Sequence, residues 1–377
     1  MWKRIARVNA LVIKEFIHLR SDWWLPAFML IGGAMELLLI GWATSRPITN
    51  LPMLVLDQDR SPQSRKLIIA LENTETFNLD TQVEDMQTIH DRLERGQINA
   101  ALIIPPDFDQ QLTAADGQAA LQLLLNGAES MAATNALRAT EGLVRELGLG
   151  ITLKRLGMEA DDLSGFDPSL RVWFNEKLSE ALYTTPAELG LMLEFTILLF
   201  AALTFSREKE LGTLESLLVT PFSSLEIIIG KSIPVILVSF ADFLILLAMV
   251  HFAFEVPIRG SLPLLLLLTL IYMLAVLGIG LVISIISSNQ HQAFLLVMIV
   301  GFVDLMFTGY AAPVESMPAF LQLVAQVVPS HHWMAILRGI ALKGADLSAL
   351  WPNVLALVIL GLVIGTVSLR FVRRALE

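Results

Sequence analysis

The chain has 377 residues, of which 55% are hydrophobic and 16% are charged, and its mean hydropathy is +0.64. Soluble domains are about 45–50% apolar and about 25% charged, so this composition indicates a protein that spans a membrane. The absence of cysteine excludes disulfides, thiolate zinc sites and iron–sulfur clusters. The net charge of −10 is concentrated in residues 46–180, where 21 acidic residues accompany 12 basic ones, which argues against nucleic acid as a partner.

Residues 1–24 have the periodicity of an amphipathic helix. Apolar side chains recur every three or four positions, and five basic residues accompany them. The apolar positions are Ile5, Val8, Val12, Phe16 and Leu19, and the basic positions are Lys3, Arg4, Arg7, Lys14 and Arg20. This pattern predicts an interfacial helix on the cytoplasmic leaflet, either as a plain anchor or with a further contact to a partner protein.

Six stretches are long and apolar enough to cross a bilayer, which takes about 20 residues. They are residues 25–44, 187–205, 225–254, 262–286, 293–311 and 350–369. We therefore predict a membrane all-α fold with six transmembrane helices, the first over residues 25–45 and the other five within residues 181–377. Basic residues concentrate in residues 1–24, after the second span and at the C-terminus, so we expect both termini in the cytoplasm.

Residues 46–180 form a hydrophilic segment between the first and second transmembrane helices. Short apolar runs at 53–56, 98–104 and 119–125 predict strands, and residues 62–71, 83–95 and 128–156 have helical patterns. We predict an α/β extracytoplasmic domain, which the orientation of the spans places outside the inner membrane.

The triplet Gly230-Lys231-Ser232 matches the end of the phosphate-binding pattern G-x-x-x-x-G-K-[ST]. That pattern requires a glycine where this chain has Leu225, and it requires a strand before the loop. Here the triplet begins a predicted span, so we interpret Lys231 as a basic anchor at the membrane surface. We expect a non-catalytic chain that binds no ATP.

Residues 206–221, SREKELGTLESLLVTP, interrupt the hydrophobic pattern on the cytoplasmic side. Leu211, Leu214, Leu217 and Leu218 have helical spacing, charged residues surround them, and Pro221 ends the segment. This pattern predicts one helix, in which Gly212 permits a close approach or a bend. The helix either lies on lipid or docks into a groove of a cytoplasmic partner.

The same segment resembles the signature R-E-x-E-x-G-T-x-E-x-L-L-V-T-P of type-2 ATP-binding-cassette (ABC) exporter permeases. Other motifs of that family agree in the same order along the chain, except that Glu176 stands where the family often has proline. The matching motifs are Asp57-Gln58-Asp59, Ile103-Ile104-Pro105-Pro106-Asp107-Phe108, Trp173-Phe174-Asn175, Ser316-Met317-Pro318 and Val328-Pro329. The chain is thus similar to bacterial multidrug or small-molecule efflux permeases with a large periplasmic domain.

The resemblance implies a bacterial inner-membrane complex. Two permease subunits, identical or sister chains, would each bind a cytoplasmic ABC ATPase subunit, which holds the ATP and Mg²⁺, while this chain binds no cofactor. Residues 206–221 would be the coupling helix to the ATPase. The implied coupling residues are Arg207, Glu208, Glu210, Gly212, Thr213, Leu214, Glu215, Leu217 and Leu218.

Residues 312–344 are too polar to cross the membrane and too apolar for a solvated loop. Pro318 can start a short helix that Pro329 ends, and Ser330 can cap a second helix. The family resemblance implies an outer gate in the outer leaflet here, with Met317, Pro318 and Pro329 as its residues. His331-His332 is not predicted as a metal site, because adjacent helical residues point about 100° apart.

Four carboxylates lie within the predicted spans: Glu36, Glu194, Asp242 and Asp304. Ionisable groups at membrane depth are costly and face a bundle interior or a wet cavity. They either line a translocation path, where they would favour cationic substrates or carry protons, or they are hydrogen-bonded across helices.

Three functions fit the sequence. The leading hypothesis is the permease of an ATP-driven exporter, which moves small amphiphilic molecules, drugs or lipids, by alternating opening of a dimeric path. The alternative is a proton- or ion-coupled secondary transporter that uses the intramembrane carboxylates, and a third is a membrane-anchored sensor or scaffold. Membrane lipid and a periplasmic adaptor protein are further candidate partners.

Overall fold

The computed structural model describes residues 2–45, 49–81, 83, 85–114, 119–156, 173–175, 179–220, 222–310 and 313–376. The chain divides into two compact units. The first, the helical unit, comprises Met1–Ser45 and Val172–Glu377, and the second, the α/β unit, comprises Arg46–Arg171.

The helical unit is built from ten α-helices in its described part. They are α1 (Trp2–Ser21), α2 (Trp24–Ser45), α7 (Glu180–Glu210), α8 (Leu214–Leu218), α9 (Ser224–Ala253), α10 (Leu262–Ile286), α11 (Gln290–Phe307), α12 (Ala319–Ala325), α13 (Pro329–Lys343) and α14 (Leu347–Leu376). A 3₁₀ turn covers Val314–Ser316.

Six of these helices, α2, α7, α9, α10, α11 and α14, are long and apolar enough to cross a membrane, which confirms the predicted number. The ends of α2 show how such a helix fits a bilayer. Trp24 and Trp42 are both exposed, and at 1.5 Å per residue they are about 27 Å apart. That distance is close to the roughly 30 Å hydrocarbon core, at whose borders tryptophan concentrates.

Small residues let the central helices approach closely. Lipid is as apolar as leucine, so helices in a membrane associate mainly through tight packing rather than through the hydrophobic effect. Gly280 of α10 lies against α7, where a Cβ atom would be 2.5 Å from the Cβ atom of Ala201 and 3.1 Å from the carbonyl oxygen of Leu198. On its other side, α10 packs against α14 through Gly278, which faces Ile364.

The α/β unit contains a four-stranded sheet. Its elements are β1 (Leu51–Asp57), α3 (Pro62–Glu72), β2 (Phe77–Asp80), α4 (Met86–Glu94), β3 (Ala100–Ile104), α5 (Phe108–Thr113), β4 (Gln122–Leu125) and α6 (Ser130–Leu156). The strand order is β2-β1-β3-β4, with β1 parallel to β2 and β3, and β4 antiparallel to β3.

Alternate residues of the central strands bury opposite faces of this sheet. Val55 of β1 and Leu102 of β3 pair in register, and both pack in the core that α3 and α6 cover. The neighbouring Leu54 and Ala101 point to the other face, where Ile89 of α4 covers them. Strands that are buried on both faces have continuous apolar sequences. For this reason β1 and β3 could be predicted from the sequence.

The first testable prediction concerns the contact between α10 and α7. Replacing Gly280 with alanine forces two backbones apart, and overpacking of this kind costs about 1–3 kcal/mol. That cost exceeds the gain of about 1 kcal/mol that alanine brings to a helix. We expect Gly280→Ala to lower the thermal unfolding midpoint of the purified protein in detergent.

Gly365→Ala is the matched control, because no atom lies within 4 Å of a Cβ placed there. It should leave the midpoint unchanged or raise it. Equal midpoints for the two variants would contradict the assigned packing.

Candidate functional site

Four charged side chains from three helices meet at one end of the helical unit. Lys231 of α9 is 1% exposed, and its Nζ lies 2.7 Å from Glu15 Oε1 of α1 and 3.1 Å from Glu208 Oε1 of α7. The same Glu208 oxygen accepts a hydrogen bond from Lys14 Nζ of α1 at 2.8 Å. We call Lys14, Glu15, Glu208 and Lys231 the α1 network.

The α1 network shows that Lys231 is not an anchor at the membrane surface, so that interpretation of the sequence was wrong. Its ammonium also donates to the Thr204 carbonyl oxygen at 3.3 Å and lies over the ring of Phe205. Two cations and two carboxylates balance in charge, which is what a buried ionic cluster requires. Their positions on α1, α7 and α9 mean that these helices are fixed to each other.

The contact between α1 and α9 has an apolar part as well. Leu11 is buried and packs where Gly230 leaves room for it. By contrast, Ile5 and Phe16, which the sequence placed on one apolar face with Val8 and Val12, are exposed. The helix α1 therefore has two apolar faces, one against protein and one free to contact lipid.

The prediction of a single helix over residues 206–221 is wrong, because the helix is interrupted at Gly212. Helix α7 continues to Glu210 and is followed by Leu211 as its C-cap, after which Gly212 has a φ of +68°. Such a backbone conformation favours glycine, and it turns the chain before the short helix α8.

The charges of this segment hold the end of α7 in place. Arg207 pairs with Asp22, Lys209 donates to the carbonyl oxygens of Ile285 and Ser287, and Glu208 belongs to the α1 network. Glu210 accepts from the backbone N–H of Gln290 at 2.8 Å. These charges were predicted to surround a leucine stripe, but they instead bond α7 to its neighbours within the same chain.

The other predicted coupling residues, from Gly212 to Leu218, lie at the break and after it, between the apolar side chains of Leu211 and Val219. Leu211 is 60% exposed and Val219 is 85% exposed, and Gly212, Thr213 and Glu215 are exposed too. Leu214 is half-buried, and the side chains of Leu217 and Leu218 lie outside the described residues. We call Leu211, Glu215 and Val219 the coupling patch. They are large, exposed side chains among the described residues from Leu211 to Thr220.

A cavity of about 720 Å³ lies between α2, α7 and α11, and we call it the membrane cavity. It extends from Trp24 to Ile40 along α2, which is about 24 Å at 1.5 Å per residue. Its wall is mostly apolar and aromatic, and it contains two carboxyl side chains, Glu36 of α2 and Glu188 of α7. A cavity with such a wall and a few polar groups has the composition of a small-molecule site.

Of the four acids predicted for a translocation path, the structure places Glu36 in the membrane cavity. The other three accept hydrogen bonds across helices and are not among its described lining residues. Asp242 accepts from Thr196 at 2.9 Å, Glu194 from Tyr272 at 3.2 Å, and Asp304 from Ser330 at 3.1 Å.

Sequence reasoning missed Glu188. It stands at the start of the second span, and nothing in the local pattern shows that it faces α2. A helical projection of α7 cannot place Glu188 opposite α2 by itself, because that placement also depends on the angle at which the two helices pack.

The residues predicted for an outer gate lie at the starts of two helices, α12 and α13. Met317 packs on the apolar cluster around Phe307 and Val314, Pro318 precedes α12, and Pro329 is the first residue of α13. The prediction that Ser330 caps the second helix was wrong: α13 starts at Pro329, and the Ser330 hydroxyl donates to Asp304 instead.

The two adjacent histidines are used in different structural contacts. His331 Nδ1 lies 3.2 Å from the carbonyl oxygen of Phe307, and His332 contacts Asn353 and the carbonyl oxygen of Gln326. No cluster of three metal-ligating side chains occurs among the described residues.

Six helices long and apolar enough to cross a membrane, with a carboxylate-bearing cavity between three of them, are the architecture of a polytopic membrane protein. Residues 23–370 match the family model described as ABC-2 family transporter protein, and the chain belongs to this family. It is a bacterial type-2 ABC permease.

Three relatives from Escherichia coli are similar to the chain over nearly their whole length. The chain is 27% identical to "Probable multidrug ABC transporter permease YbhR" of Escherichia coli strain K12, over 98% of both chains. It is 27% identical to "Probable multidrug ABC transporter permease YbhS" of the same strain, over 93% of both. It is 23% identical to "Inner membrane transport permease YhhJ" of that strain, over 99% of both.

The second prediction concerns Lys231. Replacing it with methionine leaves Glu15 and Glu208 beside each other with one cation fewer, and breaking a buried ion pair costs about 3–5 kcal/mol. We expect Lys231→Met to loosen α1, which limited trypsin digestion followed by mass spectrometry would detect as faster cleavage after Arg4 and Arg7.

The double variant Lys231→Met with Glu208→Gln removes one charge of each sign, and it should recover part of the protection. Lys343→Met, at an exposed lysine near the end of α13, is the control and should leave cleavage in α1 unchanged. Wild-type cleavage rates in Lys231→Met would show that the α1 network does not hold this helix.

Proposed function

We propose that the chain is the non-catalytic permease subunit of an ATP-driven exporter that moves small amphiphilic molecules out across the bacterial inner membrane. The observation that carries this proposal is the membrane cavity, which extends for about 24 Å along α2. Its apolar and aromatic wall suits the body of an amphiphile, and its carboxylates suit a polar end. The names of the relatives YbhR and YbhS, which call them multidrug permeases, support this substrate class.

A second permease subunit, identical or a sister chain, would complete the path. Glu36 lies within the span α2 and is exposed in the single chain. A carboxylate at membrane depth does not face lipid without a large cost, so this side of α2 requires a protein or aqueous neighbour. Two subunits facing each other there would enclose a path that opens alternately to either side. The outer helices α12 and α13 would then gate its outer end.

The energy would come from a cytoplasmic ABC ATPase subunit, which holds ATP and Mg²⁺. Lys231 of the phosphate-loop-like triplet is engaged with two carboxylates inside the helical unit, so it is not placed to hold a phosphate. The coupling patch offers two exposed apolar anchors and a charge, which is the composition of a docking contact. The α1 network would pass movement of that contact to α1 and α9.

This assignment places both termini in the cytoplasm and the α/β unit in the periplasm. The orientation follows from the basic residues near the ends of the spans. In the periplasm, the α/β unit could receive an adaptor protein that continues the path outward.

The third prediction tests the coupling patch. Replacing both Leu211 and Val219 with aspartate removes the apolar anchors and adds charge, so we expect most of the ATPase subunit to be lost on copurification from cells that express both subunits. Leu347→Asp changes an exposed leucine at the start of α14 and should retain the ATPase. Full retention in the double variant would contradict the docking role.

The same preparations distinguish the exporter from a secondary transporter. In proteoliposomes, an exporter moves its substrate when ATP is added and continues after a protonophore collapses the proton gradient. Transport that needs the gradient and ignores ATP would instead support the alternative function.

The fourth prediction tests orientation, for which the cysteine-free chain is a clean background. A cysteine at Gln97, an exposed residue of the α/β unit, should react with a membrane-impermeant maleimide in intact spheroplasts. A cysteine at Glu215 should react only after permeabilisation. The reverse pattern would invert the proposed topology.

A further inference from the structure

We infer that Glu188, together with Glu36 and Tyr310, makes the membrane cavity selective for hydrophobic cations. This inference rests on the proposed function, because it names the substrate class of the same cavity. The deciding residue is Glu188, whose position in the cavity the sequence did not reveal.

Glu188 differs from the acids that hold the bundle together. Its side chain is buried, with a residue exposure of 1%, and of the described residues only the Tyr310 phenol is near enough to donate to its carboxylate, without forming a close hydrogen bond. Glu194, Asp242 and Asp304 each have a donor on a neighbouring helix. A buried carboxylate that has a phenol beside it and no cation in the described lining is costly, and functional sites are where such costs are retained.

The groups around Glu188 do not neutralise it. Its electrostatic neighbours are the Tyr310 phenol and the Glu36 carboxyl. Burial and the two carboxylates raise the pKa of Tyr310, so its phenol stays neutral at physiological pH. Lysine and arginine are absent from the cavity lining that the structure describes, and His291 stands at the far end of α11 from Tyr310. The missing positive charge is therefore one that a ligand would bring.

The rest of the wall suits the body of such a ligand. Six aromatic residues line the cavity: Trp24, Phe28, Phe195, Phe294, Phe302 and Tyr310. Aromatic rings attract cations through their faces and also bury apolar surface. The chemistry points to a monovalent cation carried on an aromatic or aliphatic body, such as a protonated amine or a quaternary centre, and it disfavours anions of the same shape.

Two ions of nearly equal size and opposite charge provide the test. Tetraphenylphosphonium is a hydrophobic cation, and tetraphenylborate is an anion of the same shape. Binding of each to the purified full-length chain in neutral detergent can be measured by equilibrium dialysis. The wild type should bind the cation more tightly than the anion, and Glu188→Gln should lower the affinity for the cation by about tenfold or more, since one tenfold step corresponds to about 1.4 kcal/mol.

Variants separate charge from structure. Glu188→Asp keeps the charge and should keep the preference for the cation, while Glu36→Gln should reduce it. Glu194→Gln is the matched control, because it removes a carboxylate of α7 that accepts from Tyr272 and is not among the described lining residues. It should leave the ratio of the two affinities unchanged.

Each outcome decides the inference. Equal affinities of the wild type for the two ions, or an unchanged ratio in Glu188→Gln, would overturn it, as would an equal loss in Glu194→Gln. If Glu188→Gln does not yield folded protein, the ratio in Glu36→Gln decides: a lowered ratio supports the inference and an unchanged one overturns it. Because binding needs no ATPase, failure of ATP-driven transport would count against the proposed function alone.

Discussion

A charge inside a bilayer has no water to solvate it, and this constraint governs how the helical unit is assembled. Lys231 satisfies it with carboxylates from α1 and α7, and Glu208 accepts a second cation from α1. Loss of one member would leave an opposite charge unpaired in a nonpolar setting, so the four groups hold together as a unit. Helix α1, whose sequence would also suit a loose surface helix, is fixed to the bundle as a result.

The same constraint sorts the intramembrane acids into two groups. Glu194, Asp242 and Asp304 face hydroxyl donors on neighbouring helices, and they contribute to packing between those helices. Glu36 and Glu188 face the membrane cavity. One residue type thus serves both the scaffold and the candidate site, and the two roles differ in whether the carboxyl group lines the membrane cavity.

Much of the fold was predictable because it depends on local pattern. The six spans follow from runs of apolar residues, and β1 and β3 follow from continuous apolar strands. Strand β2 was missed because its four residues, FNLD, are too short and too mixed, and it is stabilised by pairing with β1, as between Leu51 and Phe77. The break at Gly212 was missed because Leu211 and Leu214 are three residues apart, a spacing that a helix and a turn can share.

The candidate site was less predictable, because it depends on contacts between distant parts of the chain. Lys231 and Glu15 are 216 positions apart, so the sequence showed a lysine near the end of a span and not its partners. The periodicity of α1 revealed apolar positions but not which of them meet protein. The sequence shows that Glu188 is an acidic residue near a predicted span. It does not show that Glu188 lies on the side of α7 that faces α2.

The order of the α1 network along the chain has a consequence for biosynthesis. A ribosome produces Glu15 first, then Glu208, and Lys231 last. When α9 enters the membrane, both of its carboxylate partners have already been synthesised. A lone lysine in an inserting helix costs about 2.5–3.5 kcal/mol at the centre of the bilayer and less toward the end of a span, where Lys231 lies. If α1 and α7 are in place by then, Lys231 enters beside the carboxylates that neutralise it in the folded chain, and insertion of α9 would depend on them.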